Sequence, residues 1–195
     1  MYDRYFQEFC KKIPLLEEEQ EFIKTYLTVK KIRKRQYLLQ EGDICKYVAF
    51  VEKGALRLYR VNEDGSEHIV WFALEGAFMT DLYSFLTNEP CTYNIDAIED
   101  SELVLITKAA SDELRKRSPQ YQEFIFQATS EAYIQLEKRI TSTISLSVEE
   151  RYKELTSNYP DIIQRLPQHM IASYMGLNPE TLSRVRRRIS IKKQI

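Results

Sequence analysis

The spacing of apolar residues changes period twice along this chain. Residues 2–11 and 17–27 place them at helical intervals, with Phe6, Phe9, Ile13 and Leu16 in one line and Pro14 splitting the stretch. Two short amphipathic helices are predicted there. From about residue 29, β-rich runs alternate with turn signals. Tyr37-Leu-Leu precedes Glu41-Gly42-Asp43, Tyr47-Val-Ala-Phe-Val precedes Glu52-Lys-Gly54, and further runs at 55–61 and 68–74 end at Asp64-Gly65 and Glu75-Gly76. Gly42, Gly54, Gly65 and Gly76 are thus spaced by 12, 11 and 11 residues. That is the turn rhythm of a small all-β sandwich or barrel, and Asp64-Gly65 between two β runs signals a hairpin. Strands are also predicted at 94–98 and 102–106, with a short helix in the irregular stretch between 78 and 93.

From Lys108 the period is helical again. A short helix is expected over 108–116 and a long one over 119–144, with Ser118 as N-cap and Pro119 at the first helical position. Tyr121, Ile125, Ala128, Ala132, Leu136 and Ile140 form one stripe at intervals of 4, 3, 4, 4 and 4. The stripe packs either on its own β module or on a second copy. A long helix after a complete β module, with no third layer to cover it, favours the dimer seam. Ser147 then opens a further helix that ends near residues 158–160.

At 195 residues the chain makes one large domain or two small ones, and needs no disulfide or metal staple to hold a core. Its 5 glycines and 6 prolines exclude collagen-like and low-complexity readings. The net charge of −1 conceals an asymmetry: residues 142–195 carry 9 Lys/Arg against 5 Asp/Glu, and residues 1–141 carry 19 against 24. An acidic body with a basic tail suggests two modules, the second facing nucleic acid. Cys10, Cys45 and Cys91 fit no disulfide framework, C-x-x-C pair or zinc pattern, and an iron–sulfur cluster normally needs four thiolates, so no cluster is expected. Buried or half-buried thiols in a reducing compartment are the expectation. No stretch approaches about 18 consecutive apolar residues, and the N-terminus lacks an apolar h-region. Neither a membrane span nor a signal peptide is predicted, and a cytoplasmic location is expected.

The most informative stretch is 168–187, QHMIASYMGLNPETLSRVRR. A helix-turn-helix needs a small residue where its helices cross, and Ala172 fits. Four positions later it needs a residue that tolerates positive φ, and Gly176 fits. Ile171, Met175, Leu177, Leu182 and Val185 supply the apolar packing. Asn178 can cap the second helix, Pro179 suits its first position, and Glu180 suits the positive end of the dipole. Arg184, Arg186, Arg187, Arg188, Lys192 and Lys193 follow with no acidic residue after Glu180. A solvated basic hairpin explains this pattern less well than a DNA-reading helix.

With these residues in place, the chain resembles the catabolite-activator/fumarate-nitrate-regulator (Crp–Fnr) family over nearly its whole length. The ending, IASYMGLNPETLSRVRRRI, is similar to the short-tailed regulators of the Bacteroidetes type, and Gly76 through Asp81-Leu-Tyr-Ser-Phe85 looks like the family's cyclic-nucleotide cassette. The resemblance implies an α+β fold: a cyclic-nucleotide-binding-like β-roll (a jelly roll) with flanking helices over 1–117, a dimerisation helix over 118–144, and a helix-turn-helix domain over 145–195. It implies DNA contacts at Asn178, Glu180, Thr181, Ser183, Arg184, Arg187, Arg188, Lys192 and Lys193. Glu180 and Arg184 match the motif's base-reading Glu and Arg, suited to cytosine N4 and guanine O6/N7. Thr181, Ser183 and the later cations would hold phosphates. Pro179 stands where the family has a leading Arg, so the half-site is expected to differ.

For the effector pocket the resemblance implies Gly76, Asp81, Leu82, Cys91 and Thr92. The cassette needs a carboxylate for the ribose hydroxyl and an Arg for the cyclic phosphate. Asp81 stands where the family has Glu, and Cys91 stands where it has Arg. Arg57, Arg60 and Lys108 are nearby cations at the wrong spacing. The helix positions that touch the base fall near Leu136-Glu137. Cyclic AMP is therefore not the expected effector; another small molecule, or none, is. Expected partners are double-stranded DNA, a second copy through Tyr121, Ile125, Ala128, Ala132, Leu136 and Ile140, and RNA polymerase, with no membrane, cofactor or metal.

Two other classes compete. A metal-cupin enzyme needs a His-rich centre, and only His68 and His169 exist, the latter inside the helix-turn-helix. No Ser-His-Asp grouping or phosphate-cradling glycine loop is visible. A nucleotide-binding-like regulatory module whose helical tail binds protein is the alternative, and the acid-free segment 181–195 argues against it.

Overall fold

The structure, a computed structural model, describes residues 2–192 and the side chains of residues 2–189. Two helices lead in, α1 (Asp3–Lys12) and α2 (Glu17–Lys24). Eight strands follow: β1 (Thr28–Ile32), β2 (Tyr37–Leu39), β3 (Tyr47–Lys53), β4 (Leu56–Val61), β5 (Glu67–Ala73), β6 (Phe78–Met79), β7 (Asn94–Ala97) and β8 (Ser101–Thr107), with α3 (Leu82–Thr87) between β6 and β7. The remainder is helical: α4 (Lys108–Arg117), α5 (Pro119–Ser145), α6 (Val148–Asn158), α7 (Ile162–Arg165), α8 (Gln168–Tyr174) and α9 (Pro179–Lys192). The two-residue β6 and four-residue α7 were not predicted, and the helix expected over 17–27 stops at Lys24 so that β1 can begin.

The strands form two antiparallel sheets, ordered β1-β8-β3-β6 and β2-β7-β4-β5. Alternate residues of each strand face opposite ways. Ala49, Val51, Leu103 and Leu105 of the first sheet therefore meet Leu56, Leu58, Ile95 and Ala97 of the second, forming the inner core. Their neighbours Phe50, Val104 and Ile106 face outward, and a second core covers them: Tyr5, Phe6 and Phe9 of α1, Ile23 of α2, Leu114 of α4, and Tyr121 and Phe124 of α5. This is why β3 and β8 read as continuous apolar runs: both faces are buried. Phe9 and Phe124 stack with ring centroids 4.0 Å apart. Each ring contributes about 1.5–3 kcal/mol by leaving water. Gly54, at φ +99°, has Ser101 Oγ 2.2 Å and the Asp100 carbonyl oxygen 2.8 Å from where a Cβ would stand, so no other residue fits that turn.

The chain divides into two compact units: Met1–Val61 with Val70–Ser130, and Asn62–Ile69 with Glu131–Ile195. The boundary falls inside α5, within the segment 118–144 expected to join the two modules. Tyr121 is 0% exposed, and its hydroxyl lies 3.1 Å from Ser111 Oγ. It belongs to the core of its own chain and is not available to a second copy. Ile125 packs against the same core. The third layer missing from the sequence reading is supplied by α1, which lies over the first turns of α5.

Candidate nucleic-acid interface

In the second unit, α8 and α9 are joined by a turn whose hydrogen bonds follow from Gly176. The Leu177 N–H donates to the Ala172 carbonyl at 2.9 Å, and the Gly176 N–H to Ser173 at 3.0 Å, with Gly176 at φ +69°. This is the Schellman ending of a helix, and it satisfies carbonyls of α8 that lack helical partners. The next helix begins at once. Asn178 Oδ1 accepts from the Thr181 N–H at 2.8 Å, so Asn178 serves as N-cap, and Pro179 occupies the first position.

The apolar stripe of α9 fixes its orientation. Leu182, Val185 and Ile189 are buried, in a unit whose core also holds Ile162, Leu166, Ile171, Ala172 and Met175. The opposite stripe is then exposed by geometry: Glu180, Ser183, Arg184 and Arg187 recur at helical spacing and all face solvent. Thr181 is half-buried beside them. Arg188 is exposed too, with Nη1 3.8 Å from the Glu149 carboxylate of α6. The Arg184 Nε donates to the Glu180 carbonyl at 3.5 Å, which lays the side chain along the helix. Lys193 and the side chain of Lys192 lie outside the described residues. Two guanidinium groups that the sequence reading passed over act behind the turn. Arg139 donates to the Tyr174 carbonyl at 3.2 Å and Arg151 to the Met175 carbonyl at 3.3 Å, at the C-terminal end of α8.

The cassette residues of the first unit come together, but not around an open anion site. Asp81 is 5% exposed and N-caps α3, accepting from the Ser84 N–H at 3.1 Å. Cys91 is buried, and its thiol lies 3.0 Å from the Gln40 carbonyl and 3.3 Å from that of Tyr93, sharing its proton between them. Burial pushes the Cys91 thiol above its ordinary pKa, and the nearby Asp81 carboxylate adds to the rise. Leu82 and Thr92 face solvent, and Gly76 holds a turn at φ +89°. Two of the nearby cations are engaged elsewhere. Arg57 makes a two-pronged ion pair with Asp96 across β4 and β7, at 2.7 and 2.9 Å, and stacks 4.0 Å from the Tyr59 ring centroid. Lys108 Nζ donates to the Leu86 carbonyl. A cavity of about 400 Å³ lies beside this region, lined by Leu38, Leu39, Gly42 to Tyr47 and Ile95.

Beyond the first turns, α5 keeps an apolar face in solvent. Phe126 is 66% exposed, Tyr133 67%, Leu136 47% and Ile140 53%. Their positions follow a 3.5-residue period; Leu136 and Ile140 belong to the expected stripe, and Phe126 and Tyr133 lie outside it. Ala128 is half-buried and Ala132 exposed.

A jelly-roll module of cyclic-nucleotide-binding type, followed by a helix-turn-helix, is the class these features define. Residues 29–118 match the family described as "Cyclic nucleotide-binding domain". Among curated proteins, the regulatory protein HlyX of Actinobacillus pleuropneumoniae is 25% identical over 91% of this chain and 78% of its own length. An anaerobic regulatory protein of Haemophilus influenzae is 24% identical over 94% and 75%. Among solved structures, FixK2 from Bradyrhizobium japonicum matches with a TM-score of 0.69 at 20% identity, covering 86% of each chain. The catabolite activator protein of Thermus thermophilus matches with a TM-score of 0.54 at 19% identity, covering 95% of this chain and 88% of its own. These likenesses support a transcription regulator of the Crp–Fnr type. Among the described residues no helix is long and apolar enough to cross a membrane, and no cluster of metal-ligating side chains is present.

Proposed function

We propose that this chain binds near-palindromic double-stranded DNA as a dimer, reads base edges with Glu180 and Arg184, and does not respond to cyclic AMP. The observation that carries the DNA reading is the exposed stripe Glu180–Ser183–Arg184–Arg187 on a helix pinned by Leu182, Val185 and Ile189. It offers a carboxylate, a hydroxyl and guanidinium forks on one edge, the groups that pair with base edges and phosphates in a major groove. Dimerisation through Phe126, Tyr133, Leu136 and Ile140 would place two such helices about 34–36 Å apart, one turn of the duplex.

The cyclic AMP reading rests on the cassette. A buried cyclic phosphate needs a guanidinium, and here the position holds a neutral thiol facing carbonyl oxygens. The acid of the cassette accepts from a helix N–H, and the nearest strand arginine is neutralised by Asp96. The β-roll acts as a scaffold or takes a different effector. Fluorescence-polarisation selection from a random duplex library, with and without cyclic AMP over a salt series, tests both parts. Recovery of a palindromic site whose affinity ignores cyclic AMP is expected. Binding that sharpens only with cyclic AMP overturns the cassette reading. No duplex binding at any salt overturns the DNA reading and favours a protein-binding tail.

A further inference from the structure

The cavity beside the cassette has a chemistry of its own. At about 400 Å³ it can hold a small organic molecule. Leu38, Leu39 and Ile95 give it aliphatic walls, and Tyr47 gives it an aromatic one. Its charged lining is Asp43 and Lys46, one of each sign and both exposed. The loop along its edge has spent N–H groups that could hold an anion. The Gly42 N–H donates to the Cys91 carbonyl at 3.0 Å, and the Asp43 N–H to the Gln40 carbonyl at 3.0 Å. The Cys45 N–H donates to Ser84 Oγ at 2.9 Å.

Behind this wall sits a carboxylate. Cys45 lines the cavity, and its thiol lies 3.4 Å from the hydroxyl of Thr80, the residue before Asp81. Asp81 is 5% exposed, and its side chain accepts from the Ser84 N–H alone and makes no ion pair among the described residues. An N-cap needs one acceptor oxygen, which asparagine or serine supplies without a charge. The partial positive charge at the start of α3 offsets part of that charge, and no described side chain pairs with the remainder. The other groups around it are neutral: the Cys91 thiol donates to the Gln40 carbonyl, and the Cys45 thiol to the Tyr47 carbonyl. Seen from the cavity, the cassette is therefore a source of negative potential.

We propose that this cavity binds a small organic ammonium ion, held by the ring of Tyr47 and selected by the charge of Asp81. The proposal rests on the reading that the β-roll takes an effector other than cyclic AMP, and it names the class of that effector. A phosphate or carboxylate ligand meets spent N–H groups and the field of Asp81, with only the exposed Lys46 to attract it. A neutral apolar ligand suits the aliphatic walls but gives no use to a buried charge that is costly to keep. An alkylammonium answers both features. Its carbon atoms pack on Leu38, Leu39 and Ile95, and its charge faces the Tyr47 ring. In a medium of low dielectric constant, Asp81 acts on that charge across several ångströms without touching it.

The test titrates the full chain with choline, with its uncharged analogue in which carbon replaces the ammonium nitrogen, and with cyclic AMP. Isothermal titration gives the affinities. Trp71, the sole tryptophan of the chain, packs on the same inner core as Tyr47, and its emission gives a second reading of occupancy. Choline is expected to bind about tenfold or more tightly than the analogue. Asp81→Asn keeps an acceptor for the Ser84 N–H and removes the charge. It should weaken choline about tenfold and leave the analogue unchanged. Tyr47→Leu should weaken choline by about 2- to 30-fold, and it serves as the second variant if Asp81→Asn melts early. Equal affinity for choline and the analogue overturns the proposal, as does Asp81→Asn that folds and binds choline like the wild type. A chain that binds neither choline nor cyclic AMP overturns the proposal and leaves the cassette reading standing. Saturable binding of cyclic AMP overturns the cassette reading and this proposal with it.

Discussion

Arg139 of α5 lies over the ring of Tyr174 in α8, its guanidinium carbon 4.0 Å from the ring centroid. The same side chain donates to the Tyr174 carbonyl, and Arg151 donates to the next carbonyl along. Two positive groups thus meet the negative end of α8, immediately before the turn that aims α9. Burial pushes the Tyr174 phenol above its ordinary pKa, and the charge of Arg139 opposes that rise. Arg139→Ala is expected to cost about 1–3 kcal/mol of stability. It should weaken duplex binding although it removes no base contact, and should raise the Tyr174 phenol further. Thermal melts, polarisation binding and ultraviolet titration of the tyrosines read the three effects. A variant with unchanged affinity would show that Arg139 does not position the turn.

Arg57 and Asp96 form a buried pair, with side chains 9% and 6% exposed. Removing one partner leaves a charge without compensation in the roll. Arg57→Ala or Asp96→Ala alone should destabilise by about 3–5 kcal/mol, while replacing both by apolar residues of similar size should cost much less than the sum. Denaturant midpoints of the two single variants and the double variant measure this. Additive losses would show that the two groups do not act as a pair.

The parts of the fold that the sequence disclosed are those with local signals. Gly176, Asn178 and Pro179 mark the turn of the helix-turn-helix because each is needed by the backbone at its own position. The glycine rhythm gave away the β-roll in the same way. Tyr121 was misplaced because periodicity draws a line on a helix without saying what covers it. The covering residues, Tyr5 and Phe9, are far away in the chain. Likewise Asp81 could be matched to a cassette position, but that its carboxylate turns to the Ser84 N–H is a side-chain direction no spacing records.

Arg184 is exposed at the middle of the outer stripe of α9 and makes no ion pair among the described residues. An arginine fork on guanine is worth about 1–3 kcal/mol of discrimination. Arg184→Ala should therefore flatten the sequence preference at one base pair of each half-site, by about 5- to 150-fold. Lys192→Ala should weaken all duplexes alike and lower the salt slope by about 1. Selection on the two variants distinguishes them, and equal losses of Arg184→Ala on selected and random duplexes would remove it from base reading.

The three cysteines differ in reactivity. Cys10 is exposed, whereas Cys45 and Cys91 are buried. At neutral pH the raised Cys91 group is a thiol, and the thiolate is the nucleophile. One fast-reacting thiol is expected in the native chain and three in denaturant. The sign of the pH effect follows: a group whose folded pKa is raised stabilises fully below its unfolded value, about 8.5, and the contribution is lost as pH rises through the folded value. Cys91→Ser should flatten that alkaline loss. Rapid modification of Cys91 in the native chain would mean that its pocket opens readily.

The last expectation separates the two faces of α5. Tyr121 and Phe124 are fully buried in their own unit, while Leu136 and Ile140 are about half exposed on a seam-like period with Phe126 and Tyr133. A charge on the first face should unfold the first unit, because a buried carboxylate has no partner there. A charge on the second face should leave the fold intact and cost only what a partner helix covers. Sedimentation should therefore give a dimer for the wild type and a folded monomer for Leu136→Glu/Ile140→Glu. That monomer should bind a palindromic site with the affinity of a half-site, since each α9 then finds its groove alone. If the doubly charged variant stays dimeric, the apolar face of α5 is not the seam, and the pairing surface must be sought elsewhere on the chain.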